Sequence, residues 1–118
     1  MSDLEPDLES ATIITPGLND LIEANPIKAD AYYAKRVFVG SKGRVTHIAF
    51  DADIELKEHA TPSPIMVQVP SGCIDFLVRG TPHRLGAGGI LYLPADVPHA
   101  VHSVEPSHVI VTFLPLEI

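Results

Sequence analysis

The sequence has one cysteine, Cys73, and no tryptophan in 118 residues. A single cysteine cannot form a disulfide bond within the chain, so a packed core must hold the fold together. We expect Cys73 to lie in a strand as a small buried apolar side chain rather than to act as a nucleophile. A chain of this length fits one domain whose core is stable on its own.

Basic residues are also scarce. Eight Lys and Arg stand against 15 Asp and Glu, which gives a formal net charge of −7, and no basic run is longer than Lys35-Arg36. Such a surface repels phosphate backbones and anionic lipid. The composition therefore excludes nucleic acid and membrane surfaces as expected partners.

Long apolar runs are missing as well. The runs that occur are far shorter than the roughly 20 residues that a membrane-spanning helix needs. The first ten residues, Met1–Ser10, are acidic and polar, without the cationic start and apolar stretch of a secretory signal. We expect residues 1–10 to form a flexible acidic tail, residues 11–118 to form the folded domain, and the protein to be cytoplasmic.

Little of the sequence favours helix. Ala11–Thr15 resembles a short strand, and Pro16–Ala24 carries three leucine or isoleucine residues at helical spacing. Asn25-Pro26 then ends the helix, because a residue before proline is biased away from helical backbone angles. The sequence predicts one short helix near the N-terminus.

The remainder of the chain has the pattern of short β-strands. Runs rich in Val, Ile, Phe and Tyr are separated by turn residues at intervals of roughly 8–12 residues. Eight or nine short strands must close into a barrel or stack as two sheets, since an open sheet would expose its edges. The predicted strands are Tyr32–Val39, Arg44–Phe50, Ile54–Glu58, Ile65–Val69, Cys73–Arg79, Pro82–Leu85, Ile90–Leu93, Ala100–Val104 and Ser107–Leu114.

Six histidines are the residues most suited to chemistry. His59 ends a predicted strand before a loop with prolines, and His99 follows Pro98 with His102 three residues further on. Imidazole ligands must converge on a metal from several directions, so histidines from different strands suit a metal site in a barrel. We expect His83 and His108 to be solvated.

Two segments carry a resemblance to a known family. Gly88–His99 resembles the second conserved motif of cupins, in which a glycine, five residues, a proline and a turn precede a histidine. Leu56–Pro62 followed by Val67–Gly72 resembles the first cupin motif. The resemblance spans roughly Val45 to Pro115. It implies an all-β jelly roll, the double-stranded β-helix of a small RmlC-like cupin barrel, with a short helical segment at its N-terminus.

The resemblance also implies a metal site, although part of the motif is altered. In the family, three histidines and a glutamate hold a divalent metal. His59 and His99 match two of these ligands, whereas Thr61 and Ile65 occupy the other two positions. We expect Gln68, a polar residue inside an apolar run, to be a buried amide that completes a site for iron, nickel, zinc or manganese. Further candidates for the pocket are His102, Thr61, His47 and Tyr92.

Three functions remain open at this point. One is a metal-dependent enzyme such as a dioxygenase or isomerase. The second is a non-catalytic sensor or binding module that holds a small-molecule ligand without metal. The third is a structural or partner-binding domain. In each case we expect a symmetric homodimer, because a small barrel gains buried surface by pairing and the segment Ala11–Tyr33 is long.

Overall fold

The computed structural model describes residues 11–115, which contain one helix and nine strands. The predicted flexible tail, residues 1–10, lies outside the described residues. Within this part of the chain, no helix is long and apolar enough to cross a membrane. The elements are α1 Leu18–Ala24, β1 Tyr32–Gly40, β2 Gly43–Phe50, β3 Glu55–His59, β4 Ile65–Ser71, β5 Cys73–Val78, β6 Thr81–Gly86, β7 Ile90–Leu93, β8 His99–Ser103 and β9 Ser107–Phe113.

The strands form two antiparallel sheets. One has five strands in the order β1-β2-β9-β4-β7, and the other has four in the order β3-β8-β5-β6. The predicted all-β jelly roll with one short N-terminal helix is confirmed, and every strand from Tyr32 onward lies within two residues of its predicted bounds. The strand predicted over Ala11–Thr15 is wrong for this chain, since those residues pair with no strand.

The core lies between the inner faces of the two sheets. Along β4, Ile65, Val67 and Val69 are buried while Met66 and Gln68 are not, which is the alternation of a strand with one face on a core. Each fully buried aliphatic or phenyl side chain contributes about 1.5–3 kcal/mol relative to its exposed state. The buried members of the core are Ile48, Phe50, Ile65, Val67, Val69, Ile74, Phe76, Leu93, Val101 and Val109.

Helix α1 packs on the outer face of the five-stranded sheet. Leu21 is its buried residue, and Asn25 at its C-terminus is also buried. The Nδ2 of Asn25 donates hydrogen bonds to the carbonyl oxygens of Tyr33 (3.0 Å) and His47 (3.1 Å). These bonds join the end of the helix to β1 and β2.

His47 and His108 form a buried pair on the same outer face. The Nε2 of His47 lies 2.8 Å from the Nδ1 of His108, and neither side chain is solvent-exposed. The expectation that His108 is solvated is wrong, because its strand lies beside β2 in the middle of the sheet. His83 on β6 is exposed, as expected.

Burial keeps both imidazoles of this pair neutral. Desolvation, and to a smaller extent the proximity of His108 and Lys35, lowers the pKa of His47 from 6.5 to about 4. Desolvation also lowers the pKa of His108. The remaining nitrogens, Nδ1 of His47 and Nε2 of His108, have no hydrogen-bond partner in the described chain.

The His47–His108 pair predicts a loss of stability in mild acid. Between pH 6.5 and about pH 4, His47 is protonated in the unfolded chain but neutral in the folded chain. The free energy of unfolding therefore falls as the pH is lowered through this window. The shift corresponds to about 3 kcal/mol. We expect the urea midpoint to fall between pH 7 and pH 5, and the fall to be smaller in His47→Asn and His108→Asn. The control His83→Gln, at an exposed position, should show the same fall in urea midpoint as the unsubstituted protein. An unchanged fall in urea midpoint in His47→Asn and His108→Asn would contradict this account.

Gly72 sits where a loop of the chain comes too close for a side chain. It links β4 to β5 with φ +96°, and an added Cβ would lie 2.5 Å from the carbonyl oxygen of Pro106. The Oγ of Ser107 also fills this space, where it accepts a hydrogen bond from the Cys73 amide (2.9 Å) and donates one to the Glu105 carbonyl (2.7 Å). The turn therefore requires glycine for both backbone angle and space.

A comparison of Gly72 with Gly80 separates the cost of the backbone angle from the cost of the steric clash. Gly80 has a similar φ of +84°, but nothing lies within 4 Å of its added Cβ. We expect Gly80→Ala to cost about 1–2 kcal/mol of unfolding free energy for the backbone angle alone. Gly72→Ala should cost more than about 3 kcal/mol, because the Pro106 backbone must move as well. Chemical denaturation of both variants measures the difference, and equal losses would show that the predicted clash does not occur.

Candidate functional site

His59 and His99 meet at one end of the space between the sheets. His59 ends β3, His99 begins β8, and the two residues are direct partners in the antiparallel register. Their ring centroids are 4.4 Å apart. The loops that follow His59 and precede His99 are joined by a hydrogen bond from the Asp96 amide to the Thr61 carbonyl (2.8 Å). The two segments that resemble cupin motifs are therefore in contact.

A bulge in β3 turns His59 inward. Leu56 pairs with Val101 and His59 pairs with His99, so the register shifts between Leu56 and His59. With strict alternation, two residues three apart would point to opposite faces. Because of the shift, both Leu56 and His59 line the same cavity.

Backbone carbonyls fix the orientation of both rings. The Nδ1 of His59 lies 2.9 Å from the carbonyl oxygen of Lys57, and the Nδ1 of His99 lies 2.9 Å from that of Val97. A carbonyl oxygen only accepts, so each Nδ1 carries the proton. In the neutral ring, Nε2 is then left with its lone pair, which makes both histidines hydrogen-bond acceptors or metal ligands through Nε2.

His99 is held neutral by its surroundings. Only 3% of the residue is exposed, and its ring stacks on Phe76 with centroids 5.4 Å apart. Burial lowers the pKa of His99; the Val97 carbonyl opposes this change, and the nearby His59 adds to it. His59 is exposed at the mouth of the cavity. The site thus joins one buried neutral imidazole to one that faces solvent.

The cavity below the histidines is small and apolar. It has a volume of ≈70 Å³, which is room for a few water molecules. Its polar lining consists of Thr46, His59, Thr61 and His99, and the Oγ1 of Thr61 donates to the Ser63 carbonyl (2.9 Å). The apolar lining comprises Ile48, Phe50, Leu56, Ile65, Phe76, Val101, Val109, Val111 and Phe113.

The structure places the four motif positions around one cavity. His59, Thr61, Ile65 and His99 all line it. Two of them offer imidazole, one a hydroxyl and one only an aliphatic chain. The two altered motif residues, Thr61 and Ile65, therefore line the same cavity as His59 and His99, and no carboxylate of the described residues lines it.

Gln68 does not join this group. The expectation of a buried amide is wrong, because Gln68 is exposed on the outer face of β4, between the inward-facing Val67 and Val69. It lines a groove on that outer face together with His47. Strand alternation thus separates both Gln68 and His47 from the cavity that holds His59 and His99.

His102 and Tyr92 also lie elsewhere. His102 faces outward from the four-stranded sheet, where its Nε2 is 2.6 Å from Oδ1 of Asp53. Tyr92 is 54% exposed on the outer face of β7. Conversely, the sequence reasoning missed Phe76, which stacks on His99. Its alternation with Ile74 indicates a core position, but its contact with His99 depends on the pairing of β5 with β8.

The residues present do not make a complete metal site. In the part of the chain that the structure describes, no three His, Cys, Asp or Glu side chains are grouped closely enough to hold an ion. Catalytic zinc sites use three protein ligands and structural ones use four. His59 and His99 supply two, with Nδ1–H groups oriented by carbonyls in the way that is usual for ligating histidines.

No protein-family profile matches the sequence. A comparison with curated proteins also gives no match.

Solved structures do match the fold. A conserved protein of unknown function from Streptococcus pyogenes superposes with a TM-score of 0.77 at 23% identity, covering 100% of this chain and 98% of that one. An RmlC-like cupin from Desulfovibrio desulfuricans gives 0.75 at 23% identity, covering 85% and 97%. A cupin 2 conserved barrel domain protein from Leptotrichia buccalis gives 0.76 at 24% identity, covering 81% of this chain and 47% of that one. The chain is therefore a small protein with the cupin fold.

Proposed function

We propose that this protein binds a small molecule in the mouth of the barrel, with His59 and His99 as hydrogen-bond acceptors and without a resident metal. The observation that carries the proposal is a pair of adjacent imidazoles. Their Nδ1–H groups donate to the carbonyl oxygens of Lys57 and Val97, which leaves two Nε2 lone pairs. Such a pair suits a ligand that donates from hydroxyl or N–H groups.

The size and polarity of the cavity restrict the class of ligand further. A volume of ≈70 Å³ accepts one end of a molecule or a very small one, and most of its lining is aliphatic or phenyl. Each hydrogen bond to an imidazole contributes about 0.5–1.5 kcal/mol, and apolar contacts with residues such as Phe76 and Val101 add to it. The chain's net charge of −7 disfavours anions. The ligand class is therefore a neutral O–H or N–H donor with an apolar body, such as an alcohol or a phenol.

A second candidate is divalent metal binding, with the metal-dependent dioxygenase or isomerase activity that it would allow. The orientation of both Nδ1–H groups by backbone carbonyls favours it. Against it, Gln68 is on the other face of β4, and Thr61 and Ile65 add no charge. A metal would act there as a Lewis acid or oxygen activator, and it would depend on water or substrate for most of its ligands. We assign no reaction step to it.

Titration with small hydrogen-bond donors tests the proposal that the site binds a small molecule without metal. Protein treated with EDTA and exchanged into metal-free buffer is titrated with catechol, phenol and anisole by calorimetry. Anisole lacks the O–H donor and is the matched control ligand. We expect catechol and phenol to bind with a Kd of about 1 mM or below, and anisole to bind about three- to tenfold more weakly than phenol because it lacks one hydrogen bond.

Variants locate the binding. His59→Ala and His99→Phe should each weaken catechol three- to tenfold, since each removes one acceptor; the phenyl ring of the second keeps the stack on Phe76. His83→Phe on an exposed strand should change nothing. Equal binding of anisole and phenol, or no effect of either histidine variant, would contradict the proposal. Near-stoichiometric iron, nickel, zinc or manganese in untreated protein, lost in both variants, would establish the second candidate instead.

A further inference from the structure

Arg44 is a cation on the inner face of the five-stranded sheet. On β2, Thr46 and Ile48 line the cavity between the sheets, and Arg44 precedes Thr46 by two residues, so strand alternation places it on the same face. The guanidinium carbon of Arg44 lies 3.9 Å from the centroid of the Phe113 ring, which also lines the cavity. Arg44 therefore stands beside the cavity that holds His59.

A surface depression of ≈230 Å³ surrounds Arg44 and adjoins that cavity. Phe113 lines both spaces. Ser63 lines the depression and Thr61 lines the cavity, and the Oγ1 of Thr61 donates to the Ser63 carbonyl (2.9 Å). Only the Phe113 ring and this short loop therefore separate the depression from the cavity.

The guanidinium of Arg44 keeps hydrogen-bond donors available. Among residues 11–115 no carboxylate pairs with it, whereas Arg84 is paired with Asp75. The group carries five N–H donors in its plane, and its stack on Phe113 uses the face and leaves the edge open. Arg44 is half-buried, and it is the one charged side chain among the described residues that line the depression.

The sizes of the two spaces indicate how a ligand would use both. The cavity of ≈70 Å³ accepts one end of a molecule, so the remainder must extend past Phe113 into the depression. There it meets donors, which require an acceptor oxygen. A carboxylate could pair with Arg44 through two hydrogen bonds, but the net charge of −7 disfavours anions. The acceptor that fits both conditions is a neutral carbonyl oxygen, as in an amide or an ester.

We infer, on the basis of the proposed function, that the depression around Arg44 is a second subsite for the same ligand. Arg44 donates there to a carbonyl oxygen of the molecule whose O–H or N–H group binds His59 and His99. The ligand class then narrows to a compound with a donor at one end, an apolar middle part against Phe113 and a carbonyl group at the other end. Arg44 is a specificity residue in this arrangement.

Calorimetry of metal-free protein with three phenols tests the second subsite. The probes are phenol, 3-(4-hydroxyphenyl)propanamide and 4-isopentylphenol, in which two methyl groups replace the amide of the second probe at similar shape. Arg44→Met should weaken the amide about three- to tenfold, because one hydrogen bond to a cation is lost. Phenol and isopentylphenol should change by less than about twofold, since methionine keeps an unbranched apolar chain beside Phe113.

Arg84→Met is the matched control, because it makes the same change of charge on the outer face of the four-stranded sheet. It should leave all three affinities unchanged. Equal weakening of the amide and isopentylphenol in Arg44→Met, or an equal effect of Arg84→Met, would overturn the inference. So would a carboxylate probe, 3-(4-hydroxyphenyl)propanoate, that binds more than about tenfold more tightly than the amide, because the ligand would then be an acid.

The same titrations separate this subsite from the proposed function. Phenol that binds and is weakened by His99→Phe, with an amide that is indifferent to Arg44→Met, would overturn the subsite and leave the proposed function intact. An amide whose binding depends on Arg44 but on neither His59 nor His99 would overturn the proposed function and the shared ligand. Absence of binding by all three phenols would overturn both.

Discussion

Apolar contact between the inner faces of the two sheets is the interaction on which the rest of the structure depends. Ile65 and Val67 on one sheet face Phe76 and Val101 on the other, and every one of these side chains is buried. The contact fixes which residue of each strand points inward. It therefore determines which histidines can share the interior and which ones must lie outside it.

The chain has two close histidine pairs, and they use their nitrogens differently. His47 and His108 hydrogen-bond to each other in a buried position. His59 and His99 instead donate from Nδ1 to backbone carbonyls, and both residues line a cavity. Buried imidazoles stay neutral in both pairs, because ionisation without a partner is costly. Only the second pair retains a free lone pair at an accessible position, which is why we assign binding to it.

Local patterns predicted most of the fold. Alternating apolar residues and glycine turns gave the strands from Tyr32 onward, and the motif resemblance placed His59 and His99 in one site. The errors have physical causes. The apolar run around Gln68 favours burial of its amide, whereas β4 has one exposed face and Gln68 lies on it. His108 lies at the start of its predicted strand, where position alone does not decide burial, because the partner that encloses it is His47, 61 residues earlier in the chain.

Contacts between residues that are far apart in the sequence determine the rest of the site. The bulge that turns His59 inward depends on the register of β3 against β8, and the stack of Phe76 on His99 depends on the register of β5 against β8. Neither register can be deduced from a strand alone, since pairing involves residues far apart in the chain. Ala11–Thr15 has the propensity of a strand, but propensity alone does not supply the neighbour that a strand requires.

The protonation state of the two cavity histidines tests the central claim most directly. Ring ¹⁵N chemical shifts of labelled, metal-free protein at pH 7 distinguish the nitrogen that carries the proton. In the neutral ring of both His59 and His99 we predict a protonated Nδ1 and an unprotonated Nε2, with exposed His83 as the reference for a solvated ring. A neutral ring with its proton on Nε2 in either residue, or a doubly protonated His99, would contradict this prediction.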